Sequence, residues 1–186
     1  MNVYDWDNTI YRGDSTVDFV FYLFRAYPKS LCNLPRIIFY GIGYGLKLTK
    51  KQVFKENLYH MFTYVKDMDK AVDDFTSTHL NHVKDWYKEH QLEDDVVISA
   101  SPEFLISSFC KKCNIHTCLA SPVNKYTGKY DGLNCHGEEK VERFYKVFPN
   151  GSIDEFYSDS YSDTPLAKIS KKAFIVKGDE RSTWGR

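Results

Sequence analysis

Four short stretches of this chain hold side chains able to handle a charged group. Near the amino terminus, Asp5-Trp6-Asp7-Asn8-Thr9 sets two carboxylates two residues apart, with a hydroxyl two further on. Ser99 ends an apolar run, Lys140 follows two glutamates, and Asp159 and Asp163 stand four residues apart. An Asp-x-Asp pair alone is usually a solvated turn, so the argument rests on all four stretches together. A phosphate monoester dianion repels a carboxylate nucleophile, so attack by Asp5 needs a hard cation and an ammonium to cancel charge. Asp5 and Asp159 are expected to hold Mg2+, and Lys140 to bridge the phosphoryl group and Asp5. Ser99 and the backbone amides after Asp5 then donate to phosphate oxygens. Asp7, whose side chain is not needed by the metal, can protonate the leaving oxygen and later deprotonate water.

Elements must bring these residues together. Asn2-Val3-Tyr4 predicts a short strand, which places the acidic cluster at its carboxyl end, where open α/β sheets bind ligands. Asp14 or Ser15 caps a helix with Val17, Val20, Phe21, Phe24 and Tyr27 at helical spacing, closed by Pro28. A second apolar stretch runs from Ile37 to Leu48. Thr49-Lys-Lys-Gln52 reads as a capping box for a helix with Phe54, Leu58, Met61, Phe62 and Val65 as its stripe. A further helix is predicted over 69–88, through Val72, Phe75, Val83 and Trp86, so residues 14–88 read as all-helical. Val96 to Ala100 is a strand, Ser101-Pro102 reads as an N-cap with proline at N1, and Leu105, Phe109 and Cys113 line the next helix. Strands are predicted at 115–119, 153–158 and 173–176, a hairpin turn at 125–129, a helix over 138–148, and a short helix begun by Pro165. Strands alternating with helices imply a mostly parallel sheet covered on both faces.

The length of 186 residues suits one domain, or one core with an inserted lid, and 42 % hydrophobic against 27 % charged residues predicts a globular chain rather than a disordered one. Lys plus Arg and Asp plus Glu both count 25, so the molecule as a whole has no pull toward nucleic acid. Five cysteines, an odd number in a chain that needs no disulfide staples, point to a reducing cytoplasm. Cys110-Lys-Lys-Cys113 has metal-ligand spacing, but without a second such pair it reads as the buried face of a helix. His79 and His82 read as an exposed pair, and Gly41, Gly43 and Gly45 fit close helix packing better than a phosphate loop. Arg12, Arg25 and Arg36 are candidates for gripping a charged substrate group.

The four stretches, in the same order, resemble the motifs of the haloacid dehalogenase superfamily. Val96-Val-Ile-Ser99-Ala-Ser-Pro-Glu103, Gly137-Glu-Glu-Lys140 and Ser158-Asp159-Ser-Tyr-Ser-Asp163-Thr-Pro-Leu166 are similar to the branch containing phosphoserine phosphatases and a bacterial phosphatidylglycerophosphate phosphatase. The resemblance implies a Rossmann-like α/β core formed by residues 1–13 and 89–186, with an all-helical cap inserted as 14–88. It implies Asp5 as nucleophile and Asp7 as acid/base, with the Asp7 backbone carbonyl also on the metal. It further implies Lys140 as the neutralising cation, phosphate contacts from Asn8, Thr9, Ser99 and Ala100, and a metal site of Asp5, Asp7, Asp159 and Asp163, the last as support. Thr9 is also expected to brace the loop. Asn8 stands where many members have glycine, and Ser158-Asp159-Ser160 replaces Gly-Asp, yet neither change removes a catalytic group. An aspartate two residues after the nucleophile marks phosphatases rather than dehalogenases.

The expected activity is therefore Mg2+-dependent hydrolysis of phosphate monoesters, with a small metabolite phosphate or a lipid phosphate as substrate. A phosphomutase, or a non-enzymatic binding protein on the same fold, is the alternative. Phe19 to Phe24 and Ile37 to Leu46 are apolar on nearly every side. They either pack internally or touch a membrane peripherally, since both are too short to span one.

Overall fold

The computed structural model describes residues 1–185. Six strands form one sheet in the order β3-β2-β1-β4-β5-β6, where β1 is Val3–Tyr4, β2 Val96–Pro102, β3 Thr117–Ser121, β4 Ile153–Ser158, β5 Ser170–Lys177 and β6 Glu180–Thr183. The first five are parallel and β6 runs antiparallel along the β5 edge. The chain leaves β1 toward β2 on one side and returns to β4 on the other, so the order reverses at β1 and opens a crevice at its carboxyl end. Val3 pairs with both Val96 and Phe156. Because side chains alternate across a strand, Val3 joins a core with Ile98, Phe144, Phe156 and Leu166, while Tyr4 joins the opposite core.

That opposite core is formed largely by the helices between β1 and β2. These are α1 Ser15–Ala26, α2 Leu34–Gly45, α3 Lys51–Tyr59, α4 Met68–Thr78 and α5 Asp85–His90. Phe19, Leu23, Phe62 and Phe75 pack into the same cluster as Trp6, Tyr11 and Phe109, so α1 and α4 share the core of the sheet. Only α2 contributes no buried residue. The remaining helices are α6 Glu103–Lys112, α7 Glu138–Val147 and α8 Thr164–Ile169.

Several elements differ from the sequence reading. In α1 the inward face is Phe19, Val20 and Leu23, and Val17 and Phe21 lie exposed. Apolar residues surround this helix, so spacing alone leaves its rotation open. Asp14 accepts from the Val17 amide, and Ser15 is tied to Asp7, which sets it. The capping box at Thr49 does not form: Lys50 takes the cap position, the Thr49 hydroxyl is buried without a partner, and Gln52 instead donates to the Gly132 carbonyl. The predicted helix over 69–88 breaks after Thr78 into a 3-10 turn at Leu80–His82 before α5. There the backbone pairs with the loop after β1, Lys84 donating to the Ile10 carbonyl and Arg12 to that of His82, and these bonds replace helical ones. Ser101 is not an N-cap, because β2 continues to Pro102. The turn at 125–129 forms, its Asn124 amide donating to the Lys129 carbonyl, and β3 begins two residues later than expected. The all-polar β6, entered through Gly178 at φ 62°, is fully exposed and so carried no alternating pattern.

Candidate active site

Asp5 follows β1 directly, its amide donating to the Tyr157 carbonyl of β4 at 2.8 Å. The first turn of α7 brings Lys140 underneath, only 2 % exposed, where its ammonium lies 2.7 Å from Asp5 Oδ1 and 2.7 Å from Asp163 Oδ2. Ser158 Oγ also donates to Asp163 Oδ2, at 2.8 Å. Burial opposes the charge on Lys140, but the two carboxylates outweigh it and raise its pKa. Burial likewise pushes Asp5 up to about 7, with Asp163 and Asp7 adding to the shift and Lys140 pulling against it. One ammonium thus serves more carboxylates than it neutralises.

Asp7 is held on both oxygens. Oδ1 accepts from the amide and hydroxyl of Ser15, each at 2.6 Å, and Oδ2 accepts from Ser101 Oγ at 2.5 Å. Burial pushes its carboxyl up to about 6, Asp14 adding to this while Ser101 and Ser15 moderate it. A group poised near that value can exchange a proton around neutral pH. The β2 register shifts between Ile98 and Pro102, and such an irregularity re-aims side chains, here bringing both Ala100 and Ser101 to the site.

A cavity of about 190 Å³ gathers Asp5, Asp7, Asn8, Ala100, Lys140, Asp159 and Asp163 at the carboxyl ends of the strands. A larger hollow of about 870 Å³ lies between α8 and the β5–β6 edge, away from the acidic cluster. Several residues expected to contact phosphate also make contacts within the protein. Thr9 is wholly buried, and its Oγ1 accepts from the Asp159 amide at 2.9 Å, so it braces the loop and does not face phosphate. The Asn8 amide donates to the Gly13 carbonyl, an intraloop bond made possible by a positive φ of 57°, and so is not free for phosphate. Its carbonyl in turn accepts from the buried Lys84 at 2.6 Å. Ser99 sits behind the cavity wall, where its Oγ accepts from the Ser101 amide at 3.1 Å. Asp163, expected as support for the metal site, accepts from Lys140 at 2.7 Å. Ala100 reaches the cavity, but its carbonyl accepts from Lys55 and Ser121.

Asp159 is different: among the described residues its carboxylate makes no hydrogen bond or ion pair, while burial, followed by Asp163, raises its pKa. Asp5 Oδ2 is likewise without a partner there. Two open carboxylates beside an excess of negative charge suit a hard cation, and Mg2+ is often bound through one or two carboxylates plus water and substrate oxygens.

The sequence reading missed Lys51, Lys55, Asp14, Ser101 and His136, all of which line the cavity. Lys51 and Lys55 are one turn apart on α3, a spacing that puts two cations on one helix face and was visible in the sequence. Burial lowers the Lys55 pKa to about 8, and its ammonium donates to the Ala100 carbonyl at 2.8 Å. Ser101 was legible as a residue two beyond Ser99 in a continuing strand, whereas nothing local marks His136. Arg12, Arg25 and Arg36 do not line the cavity; Arg12 lies 3.7 Å from Asp179 instead.

An acid-rich crevice at the switch point of a parallel sheet, with a buried lysine under its first carboxylate, defines a class of hydrolytic α/β protein. Residues 3–168 match the family model described as haloacid dehalogenase-like hydrolase, and the chain belongs to that family. Solved structures share the fold. A protein of unknown function from Bordetella pertussis Tohama I aligns with a TM-score of 0.77 at 14 % identity, over 93 % of this chain and 87 % of that one. A phosphoserine phosphohydrolase-like protein from Francisella tularensis subsp. tularensis SCHU S4 aligns at 0.55 and 18 % identity, over 93 % and 86 %. Cytosolic 5'-nucleotidase IIIB, solved with cytidine, aligns at 0.61 and 15 % identity, over 92 % and 69 %. No curated protein matches the chain.

Proposed function

We propose that this hydrolase acts on phosphate monoesters through a phospho-aspartyl intermediate on Asp5, with Mg2+ held by the side chains of Asp5 and Asp159 and the backbone carbonyl of Asp7. The observation that carries the reading is the setting of Asp5: Lys140 holds one of its oxygens at 2.7 Å, and the residue lines the cavity together with Asp7 and Asp159. Bound Mg2+ would supply positive charge that lets a dianionic phosphate approach a carboxylate. Asp5 attacks phosphorus, the ester P–O bond breaks, and Asp7 gives its proton to the leaving oxygen. Asp7 then takes a proton from water, which attacks phosphorus and releases inorganic phosphate from Asp5. Lys140 favours the ionised form of Asp5 before attack, against the effect of burial, and Asp163 and Ser158 keep Lys140 in place.

Residues 14–88 form the cap insertion in a catalytic body of 1–13 and 89–186; its α1 and α4 pack on the sheet, and its α3 lends Lys51 and Lys55 to the cavity. The names of two fold neighbours, a phosphoserine phosphohydrolase-like protein and a 5'-nucleotidase, fit monoester chemistry. A small metabolite phosphate or a lipid phosphate is the substrate class. The five cysteines are free, which accords with a reducing, cytoplasmic setting. Phosphate release across sugar, amino-acid, nucleotide and lipid monoesters with Mg2+ tests the reading. Steady accumulation of inorganic phosphate is expected, whereas transfer to an isomeric product without free phosphate would make the protein a mutase.

A further inference from the structure

Helix α2 is apolar on its solvent side. Ile38, Phe39 and Ile42, with Leu46 and Leu48 just beyond, are between 59 and 77 % exposed. Its other side rests on α3, where Tyr44 stacks on Phe54 at 5.5 Å, and a Cβ on Gly41 would already meet that phenyl ring at 3.5 Å. A soluble monomer rarely leaves a contiguous strip of this kind uncovered.

Charge identifies what covers it. Between Phe19 and Lys55 the chain carries seven of its 25 Lys and Arg and none of its 25 Asp and Glu. Arg25, Lys29, Arg36, Lys47, Lys50 and Lys51 are exposed, and none forms an ion pair among the described residues. A second copy docking symmetrically would set these unpaired cations against each other. An anionic bilayer satisfies both halves, taking apolar side chains at the headgroup boundary and cations at lipid phosphates. At 12 residues α2 is far short of the roughly 20 needed to span, and among the described residues no helix is long and apolar enough to cross a membrane. The helix that supports it, α3, carries Lys51 and Lys55 into the catalytic cavity, so a surface under α2 lies beside the site.

We propose that α2 docks the protein on an anionic lipid surface, with Ile38, Phe39, Ile42, Leu46 and Leu48 entering the boundary and Arg36, Lys47 and Lys50 meeting headgroups. Delivery of a membrane-borne substrate to the site rests on the phosphatase reading; docking itself does not.

Co-sedimentation of the full chain with vesicles of phosphatidylcholine alone, or mixed with phosphatidylglycerol, tests it. Binding should require the anionic lipid and weaken as salt rises. Phe39→Ser and Ile42→Ser should each weaken binding about ten-fold, and Lys47→Gln and Lys50→Gln about five-fold each. These exposed side chains can be changed with little effect on the melting temperature, which is measured in parallel. Asp5→Asn should sediment like the wild type, so a failure of the catalytic reading leaves docking standing. Equal sedimentation of wild type and the α2 variants would overturn the proposal. So would no anionic dependence, or a dimer in solution that the same substitutions dissociate.

Discussion

At the scale of single residues, the site works by distributing too few positive charges among several carboxylates. Asp5 and Asp7 are chemically alike, yet one lies on an ammonium and the other is held by three hydroxyl and amide donors, a difference that suits the proposed division into nucleophile and proton carrier. Asp7→Asn should lose proton transfer, together with one accepted hydrogen bond because its NH2 cannot accept, and reduce kcat by about 10²–10⁴-fold. Asp5→Asn should release no phosphate and form no phosphoenzyme, and steady-state assays with quenched-enzyme mass spectrometry separate the two. Lys140→Ala should cost about 3 kcal/mol of transition-state stabilisation, a loss of two orders of magnitude, because Asp5 and the phosphoryl oxygens then repel each other. Near-normal turnover in a folded Lys140→Ala protein would hand that role to Lys51 or Lys55, the other lysines at the cavity.

At the scale of elements, much of the site was legible because strand ends and a helix start fix where the backbone must be. Asp5 after a strand, Asp159 after β4 and Lys140 in the first turn of α7 follow from short, strongly patterned segments. What was not legible depends on contacts distant in sequence. Ser101 looked like a cap because Ser-Pro before an apolar run is a local signal, and only the irregular pairing of β2 with β3 turns it toward Asp7. The rotation of α1 is set by Ser15 on Asp7, which no spacing of apolar residues reveals.

Asp95, at the start of β2 and the far end of the strand from the site, offers a pH test of this scale. Its Oδ2 accepts from the Leu92 amide at 2.9 Å, but Oδ1 is buried with no partner, and burial pushes its pKa up to about 6. A carboxyl whose folded pKa exceeds its unfolded value favours the fold when protonated, so its contribution is present below about pH 4 and lost as pH rises through 6. Asp95→Asn should therefore gain about 1 kcal/mol over the wild type near pH 8, after allowance for solvent screening, and nothing near pH 4. Denaturant melts at the two pH values check this, and an equal effect at both would place its cause outside titration.

At the scale of the whole molecule, the sheet, the helical insertion and the cavity form one connected arrangement. α1 and α4 are fused into the core of the sheet, while α2 and α3 project cations and apolar side chains beside the site. Removing divalent metal should abolish turnover and return of Mg2+ should restore it, since the carboxylates otherwise face an anionic substrate with only the lysines Lys51, Lys55 and Lys140 lining the cavity among the described residues. Full activity after verified metal removal would contradict that electrostatic account. The most direct measurement is the location of the phosphoryl group during turnover. Enzyme quenched in acid with a phosphate monoester and Mg2+ should yield, by peptide mass spectrometry, phosphate on Asp5 and none in the Asp5→Asn protein. Phosphate on any other residue, or phosphorylation that survives Asp5→Asn, would contradict the assignment of Asp5 as nucleophile.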